Sequence, residues 1–310
     1  MEVDVRQLRY FVAVADDLNF TRAAARLHVV QQSLSSAIAR LEAGLGFKLF
    51  ERSSRTVALT ERGAAWLPYA RAVLVAAAHA ERAAGDLAAG VTETLRVGLA
   101  ATAAVEITPR LLRSFAEQQP NVRVITEHYG FDDPTGGLRD GATDVAIVRP
   151  PFTSDGLELL VVATEPRFAA LPAGHPLARG PAVDFHELED EPWIEVDSDP
   201  VWCDFWRANE RRTKPPVFGA RGRALEDLLE AARDGRATGL VPASIAHSQR
   251  WPDLAFVRVA DVPDSTVAVA WRTTHQPAPV RDFVTLAGEL AEPDAVRLVA
   301  TARSDSPLDR

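Results

Sequence analysis

The sequence predicts a multi-domain protein that begins with a small all-α head, continues through one long helix and ends in a large α/β body. Three observations predict this order. The first ninety residues carry almost no strand signal, an alanine-rich helical pattern continues to about residue 88, and short apolar runs then alternate with helical segments. This alternation is typical of βαβ units and implies a largely parallel sheet. With 310 residues, 47% of them hydrophobic, the chain is long enough for several domains and too apolar for wholesale disorder.

Charge is distributed unevenly between the head and the body. The formal net charge is −9, yet residues 1–90 hold 11 basic and 9 acidic side chains, while the remainder holds 23 basic and 34 acidic ones. The acidic total argues against a protein that coats nucleic acid indiscriminately. The basic head favours nucleic-acid binding by the head alone.

Export, membrane insertion and metal binding find little support in the sequence. No run of eighteen apolar residues occurs, and Met1-Glu2-Val3-Asp4 is acidic where a signal peptide would be basic. The single cysteine, Cys203, allows neither an internal disulfide nor a thiolate cage for a metal, so a buried, inert thiol is expected. We therefore expect a cytoplasmic protein with no membrane partner, no metal and no cofactor.

The head is predicted to contain three helices before its first strand. Apolar residues at helical spacing near the N-terminus predict the first helix. Thr21 is the expected N-cap of a second helix over 22–27, and a third is expected over 31–43 after a short connection. Gly44 and Gly46 supply the positive φ that ends the third helix.

The second and third helices, joined by a tight connection, predict a helix-turn-helix whose later helix enters the major groove of DNA. Its apolar arc of Leu34, Ile38 and Leu41 would dock on the core and leave a small polar face outward. Glutamine and arginine can pair with adenine and guanine edges, and serine with a base or a phosphate. The candidate DNA-contacting side chains on these helices are Thr21, Gln31, Gln32, Ser33, Ser35, Ser36 and Arg40. The alternative is a merely solvated face of a helical bundle.

A weakly alternating segment over 48–59 predicts a short hairpin around a polar turn. Its arginines, Arg52 and Arg55, are placed as a wing that reaches phosphates or a minor groove. We therefore predict a winged helix-turn-helix, DNA-binding domain over 1–60.

Thr60 is the predicted cap of a long linker helix over 61–90 that reaches about Ala88. The apolar stripe along this helix includes Trp66, Tyr69, Val73, Leu74 and Ala77. The small head is not expected to cover such a stripe, so the stripe packs either on the body or on the same helix of a second chain. We favour the second chain, because two-fold symmetry would present two recognition helices to one face of DNA.

A series of motifs runs through the head in a fixed order. They include Leu8-Arg9-Tyr10-Phe11-Val12-Ala13-Val14-Ala15, Asn19-Phe20-Thr21-Arg22-Ala23-Ala24, Gln32-Ser33-Leu34-Ser35, Leu49-Phe50-Glu51-Arg52 and Leu59-Thr60-Glu61-Arg62-Gly63. In this order and spacing, residues 6–67 closely resemble the amino terminus of LysR-type transcriptional regulators. The resemblance implies a sequence-specific transcriptional regulator that dimerises through its linker helix, commonly assembling further into tetramers.

This chain departs from the family pattern at the third helix. Many members carry serine or threonine in place of Val30, so the resemblance implies a helix without its usual side-chain cap. Many also carry arginine in place of Ser36 and Ala39, which implies fewer phosphate contacts and a shallower salt dependence here.

The body carries softer motifs that are similar to the effector-binding domain of the same family. They include Leu95-Arg96-Val97-Gly98, Asp144-Val145-Ala146-Ile147-Val148 and Gly239-Leu240-Val241-Pro242-Ala243-Ser244. The resemblance implies a periplasmic-binding-protein-like fold over 91–303, with subdomain I over 91–163 and 268–303, subdomain II over 164–267 and a tail over 304–310. A small-molecule effector that favours one arrangement of this domain would then modulate promoter binding.

Ligands in open α/β sheets bind beyond the carboxyl ends of the strands. By this rule, the candidate effector contacts are Ala101, Thr102, Gly130, Phe131 and Arg149 in the first subdomain and Asp197, Ser198, Trp202 and Phe218 in the second. A hydroxyl at a helix start and an arginine suit a carboxylate, and aromatic rings suit a flat apolar body. We therefore expect the effector to be a small organic acid, and an aromatic acid is one of the alternatives.

Simpler structural roles also explain three of these candidate residues. Thr102 is equally well explained by helix capping, Arg149 by an ion pair and Trp202 by core packing.

Two other functions are considered for the whole protein. An α/β enzyme with a helical extension is the second hypothesis, although the seven histidines are scattered and no catalytic motif occurs, so no catalytic residue is predicted. A ligand-independent architectural DNA-binding protein is the third, but it would leave the acidic body without a role.

Overall fold

The computed structural model describes residues 4–52, 57–88, 93–100, 107–249, 251–274, 276–291 and 297–299. The chain divides into two compact units by its internal contacts. The first unit comprises residues 1–90 together with 140–142, and the second comprises 91–139 and 143–310.

The described part of the first unit is helical apart from a short hairpin. Its helices are α1 (Val5–Asp17), α2 (Phe20–Arg26), α3 (Gln31–Leu45) and α4 (Glu61–Ala88), and its strands are β1 (Phe50–Arg52) and β2 (Val57–Leu59). The two strands pair antiparallel, with Phe50 opposite Leu59. This confirms the predicted winged helix-turn-helix followed by a long helix.

Asn19, and not Thr21 as predicted, caps the second helix. Its side chain accepts hydrogen bonds from the backbone N–H groups of Thr21 and Arg22 at 2.9 and 3.0 Å. α2 therefore begins at Phe20, before the predicted start, and the Thr21 hydroxyl is free for another role.

The helix α3 is longer than predicted. It continues through Gly44 to Leu45, and Gly46 alone ends it with a left-handed φ of 77°. Gly44 has no atom near its missing side chain, so it is tolerated inside the helix. At the other end, Val30 occupies the N-cap without a side-chain hydrogen bond, as its apolar side chain predicts.

Aromatic rings hold the core of the head together. The Phe11 ring of α1 lies 5.5 Å from the Phe50 ring of β1 and 5.3 Å from the Trp66 ring of α4, measured between centroids. Leu34 and Ile38 of α3 are fully buried in the same core, as is the predicted apolar arc as a whole. The inner face of α3 is thereby fixed, and its opposite face is turned outward.

Part of the apolar stripe on α4 is covered by the head itself. Trp66 and Leu74 pack against the head core, which corrects the expectation that so small a domain cannot cover the stripe. The physical reason is that α1 packs along α4, with ion pairs from Asp16 to Arg71 and from Arg9 to Glu81. Tyr69 and Val73 stay exposed, at 68% and 46%, so the stripe continues on the outside of the unit.

The second unit is built of strands and helices that alternate along the chain. Its strands are β3 (Glu93–Ala100), β4 (Val122–Tyr129), β5 (Val145–Val148), β6 (Leu157–Glu165), β7 (Arg167–Pro172), β8 (Ala182–Val183), β9 (Trp193–Glu195), β10 (Phe218–Arg221), β11 (Leu240–Pro242), β12 (Leu254–Val259), β13 (Ser265–Arg272) and β14 (Arg297–Val299). Its α-helices are α5 (Ile107–Gln118), α6 (Phe185–Leu188), α7 (Pro200–Trp206), α8 (Leu225–Arg233), α9 (Ala243–Ser248) and α10 (Ala278–Leu290).

Two main sheets give this unit its two subdomains. One sheet has six strands in the order β14-β6-β13-β5-β3-β4, and the other has four in the order β11-β7-β12-β8. β3 runs parallel to β4 and β5, but β13 is antiparallel to β5 and β6. The first sheet is therefore mixed, and the prediction of a largely parallel sheet is wrong. The chain leaves this sheet along β6 and returns along β13, so these neighbouring strands run in opposite directions.

Helices pack on the six-stranded sheet through aromatic residues. Phe115 of α5 and Phe283 of α10 are buried together, with their rings edge to face at 5.2 Å. In the ranges that the structure covers, no helix combines the length and apolar character needed to cross a bilayer.

Candidate nucleic-acid interface and ligand pocket

The helix-turn-helix presents a polar surface on the side away from the head core. We call it the recognition surface, and its exposed members are Thr21, Gln31, Gln32, Ser33, Ser36 and Arg40. Ser35, which is also a predicted DNA contact, is half-buried at its edge. Because several of these side chains are small, they leave room for α3 itself to approach base edges in a major groove.

Arg40 is the cation of the recognition surface. It is exposed and forms no ion pair with any residue that the structure describes. By contrast, Arg22 and Arg26 of α2 are paired with Asp17, at 3.5 and 3.1 Å. These two arginines are thus engaged by a carboxylate of the head, whereas Arg40 stays available for a phosphate or a guanine.

The first wing strand is tied to α3 through the buried carboxylate of Glu42. Glu42 accepts hydrogen bonds from the backbone N–H groups of Leu49 (2.9 Å) and Phe50 (3.2 Å) and from the Lys48 ammonium (2.8 Å). Burial raises the pKa of Glu42, but these hydrogen bonds together hold it below its ordinary value. The carboxylate thus fixes where the wing begins. The Arg52 side chain and all of Arg55, the predicted wing contacts, lie outside the described residues.

A mostly apolar pocket lies in the second unit, where the ends of β4, β5, β9 and β11 meet α7 and α8. The space between its lining atoms is about 550 Å³ and includes space open to solvent. Its lining comprises Phe131, Arg149, Trp193, Ile194, Val196, Trp202, Cys203, Trp206, Arg207, Leu225, Leu228, Gly239, Leu240, Val241 and Pro242. These lining residues include two arginines and no carboxylate, so the pocket favours an uncharged or negatively charged ligand.

Three of the predicted effector contacts meet in this pocket: Phe131, Arg149 and Trp202. The Phe131 ring lies 5.3 Å from the Trp202 ring, and Trp202 lies 5.8 Å from Trp206. Trp206 is buried in the core and also lines the pocket. The aromatic wall therefore joins the two subdomains across the pocket.

Four predicted contacts lie outside the pocket lining: Gly130, Asp197, Ser198 and Phe218. Gly130 lies against the backbone carbonyl of Arg223, Asp197 is exposed, and the 41% exposed Phe218 stacks on Arg207 at 5.0 Å. Among the residues chosen by the strand-end rule, Phe131 after β4 and Arg149 after β5 line the pocket, but Gly130 does not. Of the four chosen in the second subdomain, only Trp202 lines it. Ala101 and Thr102 lie outside the described residues.

Asp199, two positions after Asp197, makes the contacts that link α7 to the first subdomain. It caps α7 by accepting from Val201 N–H at 3.0 Å, and it also accepts from Thr153 N–H at 3.2 Å and from the Arg139 guanidinium at 3.3 Å. Burial raises the pKa of Asp199, yet the hydrogen bonds from Thr153, Trp202 and Arg139 hold it below its ordinary value. Asp199 therefore positions the pocket helix without lining the pocket.

Arg149 lines the pocket and is also the partner in a buried ion pair. Its Nη1 lies 2.8 Å from Glu165 Oε1, and its Nη2 donates to the Ser244 hydroxyl at 3.1 Å. Glu165 accepts in turn from the Ser244 backbone N–H at 2.7 Å. Burial lowers the pKa of Arg149, and Glu165 partly restores it. The ion pair, the plainer of the two roles considered for Arg149, is thus present, and the same side chain lines the pocket.

Several hydrogen-bond donors on the pocket side chains are buried without an acceptor. The indole N–H groups of Trp202 and Trp206 and the Nε–H of Arg149 have no acceptor among the residues that the structure describes. Cys203 is buried beside them, and burial raises the pKa of its thiol. Buried donors without partners cost free energy, and these three belong to side chains that line the pocket.

The apolar lining from α8 and β11 was missed by sequence analysis. Leu225 and Leu228 lie on the buried face of an amphipathic helix, and Val241 lies in a short buried strand. Nothing in a sequence distinguishes such residues from ordinary core. Within the described ranges, no group of histidine, cysteine and carboxylate side chains could hold a metal ion.

Two family models match the chain, one for each part of this architecture. A model described as bacterial regulatory helix-turn-helix protein, lysR family, matches residues 5–64. A second, described as LysR substrate binding domain, matches residues 88–292. The recognition surface falls within the first match and the whole pocket lining within the second.

Similar proteins carry the same two parts. The Hca operon transcriptional activator HcaR of Escherichia coli is 30% identical, over 93% of this chain and 98% of its own. A probable hydrogen peroxide-inducible genes activator of Mycobacterium avium is 35% identical, over 76% of this chain and 77% of its own. The crystal structure of CbnR, a LysR family transcriptional regulator, matches with a TM-score of 0.60 and 28% identity, over 94% of this chain and all of CbnR. CbnR also matches as its complex with target DNA, with a TM-score of 0.52.

Proposed function

The chain belongs to the LysR family of bacterial transcriptional regulators, and we propose that it adjusts its binding of promoter DNA to a small organic acid held in the pocket of its second unit. As a family member it combines a DNA-binding head with an effector-binding domain. Its relatives are transcriptional regulators and not enzymes, so the hypothesis of an α/β enzyme is set aside. A substrate-binding domain likewise argues against a purely architectural protein.

On the DNA side, we propose that α3 enters the major groove with the recognition surface toward the bases. Gln32, Ser33 and Ser36 are exposed on one face of α3, and Arg40 adds a charge with no partner inside the described protein. The wing arginines Arg52 and Arg55 would contact phosphates beside the groove. Uncharged Ser36 and Ala39 support a shallow salt dependence of this binding.

We further propose that two chains pair through the part of the α4 stripe that the head does not cover. Tyr69, Val73 and Leu87 are exposed at 68%, 46% and 75% in the single chain. Large apolar side chains recurring along one helix favour burial against a copy of that helix. A two-fold pair would set two recognition surfaces toward one face of the duplex, and assembly of such pairs into a tetramer is compatible with it.

The unpaired donors in the pocket carry the proposal of an organic acid. A carboxylate supplies acceptor oxygens for the indole N–H groups of Trp202 and Trp206 and for the Arg149 Nε–H, while an aromatic ring fills the space against Phe131 and Trp193. The lining itself holds no carboxylate, although Glu165 lies behind it and pairs with Arg149 at 2.8 Å, so the donors offered by Arg149 Nε–H and the two indoles favour an acceptor there. A ligand bound between the subdomains favours one arrangement of them over another only to the extent that it binds that arrangement more tightly.

Benzoate, benzamide and cyclohexanecarboxylate separate the contributions of charge and ring. By isothermal titration against the full chain, we expect benzoate to bind at least about tenfold more tightly than benzamide, because a charged acceptor strengthens each hydrogen bond. Cyclohexanecarboxylate keeps the charge and loses the flat ring, so it is expected to bind with intermediate affinity. The Trp202→Phe variant keeps an aromatic ring and removes one donor, so it should lower benzoate affinity more than benzamide affinity.

Equal affinity for benzoate and benzamide would contradict an acidic effector, and binding of neither ring compound would contradict an aromatic one. The titration is repeated with promoter DNA present, because an effector must change DNA affinity as well as bind. Benzoate binding without any change in DNA affinity would make the pocket a binding site without a regulatory role.

Cys203 raises peroxide sensing as a second candidate function, because its thiol lies in the pocket and one relative is named a probable hydrogen peroxide-inducible genes activator. The thiolate is the reactive form, and burial raises the pKa of Cys203 and so keeps the thiol protonated. The sequence also holds no second cysteine for an internal disulfide.

We expect hydrogen peroxide to leave DNA affinity unchanged, equally in the parent and in Cys203→Ala. A sulfenic acid on Cys203, found by mass spectrometry together with changed DNA affinity, would reverse this assignment.

A further inference from the structure

The hydroxyl of Thr21 forms a hydrogen bond that secondary structure does not require. Thr21 Oγ1 donates to Gln31 Oε1 over 3.2 Å, from the first turn of α2 to the first residue of α3. Asn19 supplies the cap of α2, so the hydroxyl is not needed there. Both side chains are exposed on the recognition surface, where a bound duplex would cover them.

The distance between these two side chains is set by a rigid connection. The turn between α2 and α3 is closed by backbone hydrogen bonds from His28 N–H to Ala25 (3.1 Å) and from Val29 N–H to Ala24 (3.0 Å). Ala24 itself is buried in the head core. Threonine adds stiffness of its own, because its branched Cβ restricts the side chain to few rotamers.

This hydrogen bond fixes which atoms Gln31 offers to DNA. A glutamine that reads adenine uses its amide oxygen and its amide N–H₂ together, as acceptor and donor. In this protein one lone pair of the oxygen already accepts from Thr21, which holds the amide in place, whereas both donors of the N–H₂ group stay available for DNA. The major-groove edge of guanine presents two acceptors, N7 and O6, with no donor beside them. An amide whose oxygen is partly engaged and held by Thr21, and whose two donors are free, therefore suits guanine better than adenine.

We propose that Thr21 is a positioning residue that orients the Gln31 amide so that it reads guanine rather than adenine. The inference rests on the proposed docking of α3 in the major groove. The orientation is set before binding, so less side-chain freedom is lost when the duplex arrives. The bond is weak in solvent and becomes stronger once DNA excludes water from it.

The test is base preference, measured with the full chain on a randomised duplex library and then by titration of single-base variants of the selected site. The parent is expected to prefer guanine at one base pair of each half-site, and Gln31→Ala is expected to lose that preference. Thr21→Val keeps the shape and removes the hydroxyl, so it should cut the guanine-to-adenine ratio at that base pair about tenfold. Thr21→Ser keeps the hydroxyl and should retain most of the ratio.

Two controls separate this role from a structural or phosphate-contacting one. In the Gln31→Ala background, Thr21→Val should have no further effect on base preference, because the side chain that it positions is absent. If Thr21→Val weakens all sequences equally and leaves the ratio unchanged, Thr21 contacts phosphate and the proposal is wrong. If Gln31→Ala, Gln32→Ala and Arg40→Ala all leave base preference unchanged, the proposed docking of α3 in the major groove is wrong, and the role of Thr21 that rests on it is wrong as well.

Discussion

Replacing Gly63 with alanine is expected to destabilise the winged head by about 3 kcal/mol or more and to abolish specific DNA binding. Gly63 is buried in the first turn of α4, where a Cβ atom would overlap the backbone carbonyl oxygen of Leu49. That oxygen is already engaged, because it accepts from Thr60 N–H at 2.9 Å. The Thr60 hydroxyl in turn donates to the Lys48 carbonyl at 2.7 Å. The added methyl group therefore pushes against backbone, which cannot rotate away as a side chain can.

Gly44→Ala is the matched control, because it makes the same chemical change on an exposed turn of α3. No atom lies within 4 Å of a Cβ built at Gly44. Alanine there should raise the free energy of unfolding by about 0.5–1 kcal/mol, since glycine inside a helix costs conformational entropy. Both substitutions change the unfolded chain alike, so their difference isolates the clash at Gly63. Urea unfolding of the full chain, followed by hydrogen exchange of head amides, measures both variants. Equal stability of the two would show that the wing can shift without cost.

The head could be predicted closely from sequence because its patterns are local. The arc of Leu34 and Ile38 recurs at helical spacing, and both residues are buried as predicted. Local patterns could not decide whether Asn19 or Thr21 caps α2, because both residue types favour the N-cap position. Only the backbone angles show that Asn19 is the last residue before the helix. The Thr21–Gln31 hydrogen bond follows from that choice, so sequence patterns could not reveal it.

The body was harder to predict because its arrangement depends on distant pairings. The strands β6 and β7 escaped prediction, since β6 is an almost continuous apolar run without alternation and prolines surround β7. Their antiparallel partners lie roughly 70 to 140 residues later along the chain, a separation that no periodicity reveals. The pocket shows the same limit, because Phe131 and Arg149 follow strands that could be predicted, while Leu228 and Val241 look like ordinary core.

Removing the Glu42 carboxylate is expected to detach the wing from α3. Glu42 is only 4% exposed, and its loss in Glu42→Ala leaves the N–H groups of Leu49 and Phe50 without their acceptor. Each of the two buried donors left unpaired costs about 1–3 kcal/mol, so we expect a destabilisation of about 2–6 kcal/mol and loss of DNA binding. Hydrogen exchange at the Leu49 and Phe50 amides measures the effect directly, and both should lose protection. Glu51→Gln is the control, because Glu51 is exposed on the same strand and its charge should matter by less than about 0.5 kcal/mol.

The same carboxylate makes the stability of the head depend on pH. Its pKa is lower in the folded head than the ordinary value of 4.5 that applies in the unfolded chain. The unfolded state therefore binds the proton more readily, and the contribution of Glu42 is complete above 4.5 and disappears as the pH falls through the folded pKa. In the parent, the Leu49 and Phe50 amides should accordingly lose protection from hydrogen exchange as the pH falls below 4.5. Their loss of protection should exceed that of other amides in the head. Glu42→Gln cannot titrate, so this additional acid loss should vanish in it, and its survival would assign the pH dependence to another group.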